Sequence, residues 1–141
     1  MPARPSASRR TVLRGAAAVP VAGAALAACS PGDDGEASAG PTAPVELGPE
    51  SEVAKGGAKL YEDEKVVVSR AEDGSLKAYS SICTHAGCPI NKLEGTTLTC
   101  PCHGSEFDAT TGKVVHAPAT EPLFALSVKV EGGRMVASPD A

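Results

Sequence analysis

Two short cassettes hold most of the residues in this chain that could do chemistry: Cys83-Thr84-His85-Ala86-Gly87-Cys88 and, after 11 intervening residues, Cys100-Pro101-Cys102-His103-Gly104-Ser105. Each supplies one Cys and one His at metal-ligand spacing, and a second Cys stands in each. Four side chains can ligate, while Cys88 and Cys102 remain to be placed. Soft thiolates on one side and neutral imidazoles on the other suit a [2Fe–2S] centre in which one iron takes two Cys and the other two His. Because imidazole is neutral where thiolate is negative, such a centre is easy to reduce, at roughly −150 to +300 mV against about −400 mV for all-Cys plant-type clusters. Structural zinc is the chemical rival, since Cys₂His₂ is also a common tetrahedral set. It leaves the second cysteine pair, Ser105 and both glycines unexplained.

The boxes Cys-Thr-His-x-Gly-Cys and Cys-Pro-Cys-His-Gly-Ser resemble those of the Rieske family, in its high-potential, disulfide-containing branch. The likeness runs on through Phe107-Asp108, Gly112-Lys113 and Ala117-Pro118-Ala119, and covers about Val45 to Ala137. The resemblance implies one [2Fe–2S] cluster per chain, with Cys83 and Cys100 on one iron, His85 and His103 on the other, and a Cys88–Cys102 disulfide joining the loops. Gly87 and Gly104 are expected to let the backbone approach the sulfides, and Ser105 to donate a hydrogen bond to cluster sulfur. Two positions depart from the quinol-oxidising relatives, which commonly carry Tyr two residues after the Ser and Leu at the first loop's tip. Here those positions are Phe107 and Ala86. A hydroxyl bond to a ligand sulfur is lost, and the tip offers less apolar surface to a partner.

The elements that must hold these loops read as short strands. Lys65–Arg70 and Leu76–Ser80 flank Asp73-Gly74, and Leu123–Val130 and Arg134–Ser138 flank Gly132-Gly133, so two hairpins are expected. Beyond the N-terminal segment no stretch has convincing amphipathic-helix periodicity, and no internal repeat is evident. The fold class is all-β, and the resemblance implies a small antiparallel sandwich or barrel with the two cluster-binding loops at one tip. Aromatics are limited to Tyr61, Tyr79, Phe107 and Phe124, so the core is small and a cluster and disulfide would supply a sizeable share of the stability.

The N-terminus reads as a targeting segment. Arg4, Arg9, Arg10 and Arg14 precede an apolar run from Ala16 to Ala28, and Ser8-Arg9-Arg10-Thr11-Val12-Leu13 resembles a twin-arginine export signal. That apolar run of 13 residues, with Pro20 inside it, is shorter than the about 20 residues a spanning helix needs. Leu26-Ala27-Ala28-Cys29 resembles a lipobox, which makes Cys29 the expected lipidation site and mature first residue. The expected organisation is a signal at 1–28, a disordered tether at 29–44 and the cluster domain at 45–138. Ser30 to Pro44, rich in Pro, Gly, Ser and acid, would reach about 20 Å at typical coil dimensions. Losing residues 1–28 lowers Lys plus Arg from 13 to 9 against 17 Asp plus Glu, so the mature chain carries about −8. That charge argues against nucleic acid as a partner; an acidic carrier would be steered toward a basic patch, and acidity also serves solubility alone in many exported proteins.

His116, the histidine outside the cassettes, reads as a solvated loop residue. Neither paired carboxylates nor a Gly-rich phosphate loop appears, so no independent substrate chemistry is expected. The leading reading is an exported, lipid-tethered one-electron carrier at the outer face of the cytoplasmic membrane. Its alternatives are the Rieske subunit of a quinol-oxidising cytochrome bc-type complex and the small subunit of a molybdenum oxidase resembling arsenite oxidase. Each implies a redox partner protein. Ring-hydroxylating oxygenases need a second iron domain, for which the 36 residues after Ser105 are too few.

Overall fold

The computed structural model describes residues 40–140; the twin-arginine signal, the lipobox with Cys29, and the tether up to residue 39 lie outside them. Ten strands follow in order: β1 Val45–Pro49, β2 Gly57–Tyr61, β3 Val66–Arg70, β4 Leu76–Ser80, β5 Lys92–Glu94, β6 Thr97–Thr99, β7 Glu106–Asp108, β8 Val114–His116, β9 Ala125–Glu131 and β10 Arg134–Pro139. One 3₁₀ turn, Glu50–Glu52, joins β1 to β2. The strands form a six-stranded sheet, β1-β10-β9-β4-β3-β2, and a four-stranded sheet, β5-β6-β7-β8. Every pairing is antiparallel. The all-β expectation holds. Among the described residues no helix is long and apolar enough to cross a membrane.

Both expected hairpins form where the turn residues demand them. Gly132 and Gly133, at φ 57° and 81°, connect the paired Glu131 and Arg134, which is a two-residue turn whose twist suits antiparallel strands. Between β3 and β4, Asp73 accepts a hydrogen bond from the Ser75 N–H at 2.8 Å and Gly74 takes φ 91°. The chain also reaches the large sheet before β1, since Gly40 is buried beside Ser80, where a Cβ would stand 2.7 Å from the hydroxyl oxygen.

Strand β3 shows how one strand serves two cores. Val66, Val67 and Val68 are fully buried in a row, which an alternating one-sided strand would not show. Val66 and Val68 pack with Leu47, Val53, Ala78 and Met135, while Val67 points the other way into a second core of Ile90, Leu98, Phe107, Ala109 and Leu123. That second core also contains Cys83 and Cys100. The cysteine loops therefore grow directly out of packed hydrophobic structure.

The small sheet is tied to the large one at Gly112. Its N–H donates to the Asp108 carbonyl at 2.7 Å, and its carbonyl accepts from the Leu123 N–H at 2.8 Å. It sits at φ 70°, and a Cβ built there would be 2.6 Å from the Tyr79 ring. Both conformation and space require glycine. Gly112→Ala is expected to lower stability by about 2–5 kcal/mol, combining left-handed strain with overpacking, whereas Gly132→Ala, with open space around it, should cost only about 1–2 kcal/mol. Denaturant unfolding of the two variants side by side checks this.

Candidate metal centre

The two cassettes fold into loops with the same backbone wiring. In the first, the Cys83 N–H donates to the Cys88 carbonyl at 2.8 Å and the Gly87 N–H to the Cys83 carbonyl at 2.8 Å. In the second, the Cys100 N–H donates to the Ser105 carbonyl at 2.8 Å and the Gly104 N–H to the Cys100 carbonyl at 3.1 Å. Each loop thus runs from a Cys to the residue five positions on, and closes through a glycine at the fourth. Gly87 and Gly104 take nearly the same left-handed φ, 73° and 77°. No protein atom lies within 4 Å of a Cβ built on Gly104, so φ, rather than crowding by the protein, calls for glycine there.

This wiring puts thiols inside and imidazoles outside. Cys83 and Cys100 are each 2 % exposed and carry free thiols, and His85 and His103 are exposed at the loop tips. The two imidazole rings meet edge to face with centroids 4.8 Å apart. Burial, with the Cys83 thiol alongside, pushes the Cys100 thiol above the ordinary cysteine range, against the opposing pull of the Cys102 and His103 backbone N–H groups. The Cys100 thiol ionises more readily beside a cation, which a bound metal supplies. The two loops thus set one pair of thiols side by side in the core and one pair of imidazoles edge to face at the surface, a donor set with a buried sulfur side and an exposed nitrogen side that fits a mixed Cys/His iron–sulfur centre.

Cys88 and Cys102 are bonded to each other, S–S 2.07 Å, and clasp the two loops together. Their sulfurs lie within 4.8 Å of the Cys100 sulfur, a grouping that taken alone would look like a three-thiol metal site. The disulfide removes both from the ligand count. Ser105 is fully buried, and its hydroxyl oxygen accepts the Ala119 N–H at 3.0 Å, which leaves its O–H proton free to donate elsewhere. Phe107 is also fully buried and packs in the core around Cys83 and Cys100. Ala86 is exposed at the tip of the first loop, and His116 is exposed on β8 opposite Glu106. Thr84 was not marked by sequence reasoning beyond its place in the box. Its hydroxyl donates to the Glu121 carbonyl at 2.7 Å and fastens the first loop to the segment that also carries Ala119.

Residues 43–131 match the Rieske [2Fe-2S] domain family. The chain belongs to the Rieske family. It carries a [2Fe–2S] cluster, and its Cys88–Cys102 bridge fits the high-potential branch. A cytochrome b6-f complex iron-sulfur subunit of Chlorobaculum tepidum is 41 % identical over 95 residues, covering 65 % of this chain and 51 % of that protein. A putative respiratory nitrate reductase subunit Rieske of Haloferax mediterranei is 45 % identical over 65 residues, covering 45 % of this chain and 30 % of that one. Among solved structures, the cyanobacterial plasma membrane Rieske protein PetC3 from Synechocystis PCC 6803 superimposes with a TM-score of 0.53 at 34 % identity, covering 67 % of this chain and 98 % of that one. This chain spans about half the length, or less, of the two curated relatives.

The buried Ser105 to Ala119 contact makes a direct prediction about the Rieske domain's stability. Ser105→Ala strands the Ala119 N–H in a buried position, and should cost about 1–3 kcal/mol in denaturant unfolding. Ser105→Gly strands the same N–H and should be no more stable, whereas Thr84→Val, at a half-exposed contact, should cost about 0.5–1.5 kcal/mol.

Proposed function

We propose that this protein is a one-electron carrier, attached through lipid on Cys29 at the outer face of the cytoplasmic membrane, that passes electrons between a donor and an acceptor protein. The observation that carries this reading is the disposition of the donor set: thiols sealed in the core, imidazoles exposed at the tip. In this reading Cys83 and Cys100 hold one iron and His85 and His103 the other. The bound cluster supplies a one-electron couple of comparatively high potential. The chain's own residues do the rest. The disulfide and the paired loop wiring keep the ligands rigid, the second core excludes water from the sulfur side, and the exposed imidazole edges form the surface where a partner must approach. The O–H proton of Ser105, left free by the Ala119 contact, would donate to a cluster sulfur and stabilise the added negative charge of the reduced state. The acidic mature chain is drawn to a basic patch on its partner.

A second reading is the iron–sulfur subunit of a quinol-oxidising bc-type complex, favoured by the 41 % identity to a cytochrome b6-f iron-sulfur subunit. Phe107 and Ala86 speak for the carrier, since one lacks a hydroxyl for a ligand sulfur and the other narrows the apolar tip.

Ser105→Ala should lower the reduction potential by roughly 65–130 mV, the one-electron equivalent of a charge-assisted bond of about 1.5–3 kcal/mol. Voltammetry at fixed pH measures it; an unchanged potential would take Ser105 out of the tuning role. Mass spectrometry of the N-terminal peptide from membranes should find acylated Cys29, and in those membranes a quinol analogue should leave the cluster's paramagnetic spectrum unaltered. A perturbed spectrum selects the bc-type subunit instead, and an unmodified N-terminus in the soluble fraction removes the lipid anchor.

A further inference from the structure

The sulfur atoms of Cys88, Cys100 and Cys102 lie within 4.8 Å of one another, although Cys88 and Cys102 already form a disulfide. A thiolate released at that distance from a disulfide is a nucleophile beside its electrophile. We propose that the second loop has a covalent reactivity held in check by the metal: once iron no longer holds Cys100, its sulfur attacks Cys88 and displaces Cys102. The proposal rests on Cys100 being an iron ligand, as argued above.

The step balances within the protein. Cys100, released from iron as a thiolate, shares a sulfur electron pair with Cys88 Sγ. The Cys88–Cys102 bond breaks, its electron pair leaves on Cys102 Sγ, and that exposed thiolate takes up a proton from water. One disulfide and one thiolate stand on each side of the exchange before that protonation, so no outside oxidant or reductant is needed. A Cys83–Cys100 bridge, by contrast, would require an oxidant.

Position decides which sulfur is attacked. Attack on Cys102 would close a bridge across Pro101 alone, whose fixed φ leaves little freedom to bring the two sulfurs together. Attack on Cys88 closes a loop only two residues shorter than the native one, and lets Cys102, which is exposed, leave into water. Exposure also sets the direction. The exchange moves a thiol from Cys100, 2 % exposed in the core, to the surface, and leaves an apolar disulfide in the buried position. Iron on Cys100 is then what keeps the native bridge native. Cluster loss gives a chain with the wrong bridge, and an external thiol must reset it before the site can be filled again.

The experiment follows the thiol label. Cluster-loaded Cys29→Ser protein is kept anaerobic and free of added thiol, iron is stripped with a chelator, and samples are denatured at intervals in excess N-ethylmaleimide near neutral pH before peptide mapping. The zero-time sample should show the Cys88–Cys102 bridge with label on Cys83 and Cys100. With time after stripping, a Cys88–Cys100 bridge should appear and the second label should move from Cys100 to Cys102, at constant total. Label that stays on Cys100 with Cys88–Cys102 intact overturns the exchange. A separate arm exposes the loaded protein to the maleimide under native conditions. Labelling of Cys100 with iron retained overturns the ligand assignment itself, and label excluded from Cys100 until iron departs supports it.

Discussion

Two thiols that must be buried side by side, and two imidazoles that must stay at the surface, set the constraint on which the rest of this structure depends. Neutral thiols tolerate the interior, and burial pushes the Cys100 thiol further from ionisation. A thiolate in the same place needs a cation next to it and N–H groups aimed at it. The backbone N–H groups of Cys102 and His103 already point that way. The domain is built to accept metal charge at one place, and the loops cannot shift without moving both the thiols and their compensating dipoles.

That constraint passes downward through a few contacts. The disulfide fixes loop to loop, Ser105 fixes the second loop to Ala119, and Thr84 fixes the first loop to Glu121, two residues after Ala119. The segment from Ala119 to Leu123 is thus gripped by both loops at one end and by Gly112 at the other, where Leu123 donates to the Gly112 carbonyl. Gly112 lies against Tyr79 in β4, the strand that runs into Ser80, Ser81 and the first cassette. The small sheet and the large one therefore both position the same site. Val67, buried between them, connects that arrangement to the strand on which both cores are built.

Much of this was legible in the residues, for reasons that differ by element. The β3–β4 and β9–β10 hairpins were readable because Asp73-Gly74 and Gly132-Gly133 carry turn chemistry between apolar runs. The small sheet was not, because β5 to β8 have three residues each, too few to show a period of two. The cassettes announced their donor atoms by type and spacing, and the Cys88–Cys102 bridge implied by the resemblance is formed. Their shared wiring was hidden, because it repeats a backbone pattern while the side chains, Thr-His-Ala in one loop and Pro-Cys-His in the other, differ. Ser105 was expected to act on cluster sulfur alone, and its acceptance of the Ala119 N–H depends on a residue 14 positions away that no local pattern indicates.

The central claim is that two thiols and two imidazoles from the paired loops hold the iron. Paramagnetic resonance of the dithionite-reduced protein, with iron, sulfide and zinc measured on the same sample, tests it most directly. The account predicts two irons and two sulfides per chain and a signal whose average g lies below that of all-cysteine clusters, lost when His85 or His103 is replaced by Ala. Stoichiometric zinc without iron, or an all-cysteine type of signal that survives both histidine replacements, would contradict it.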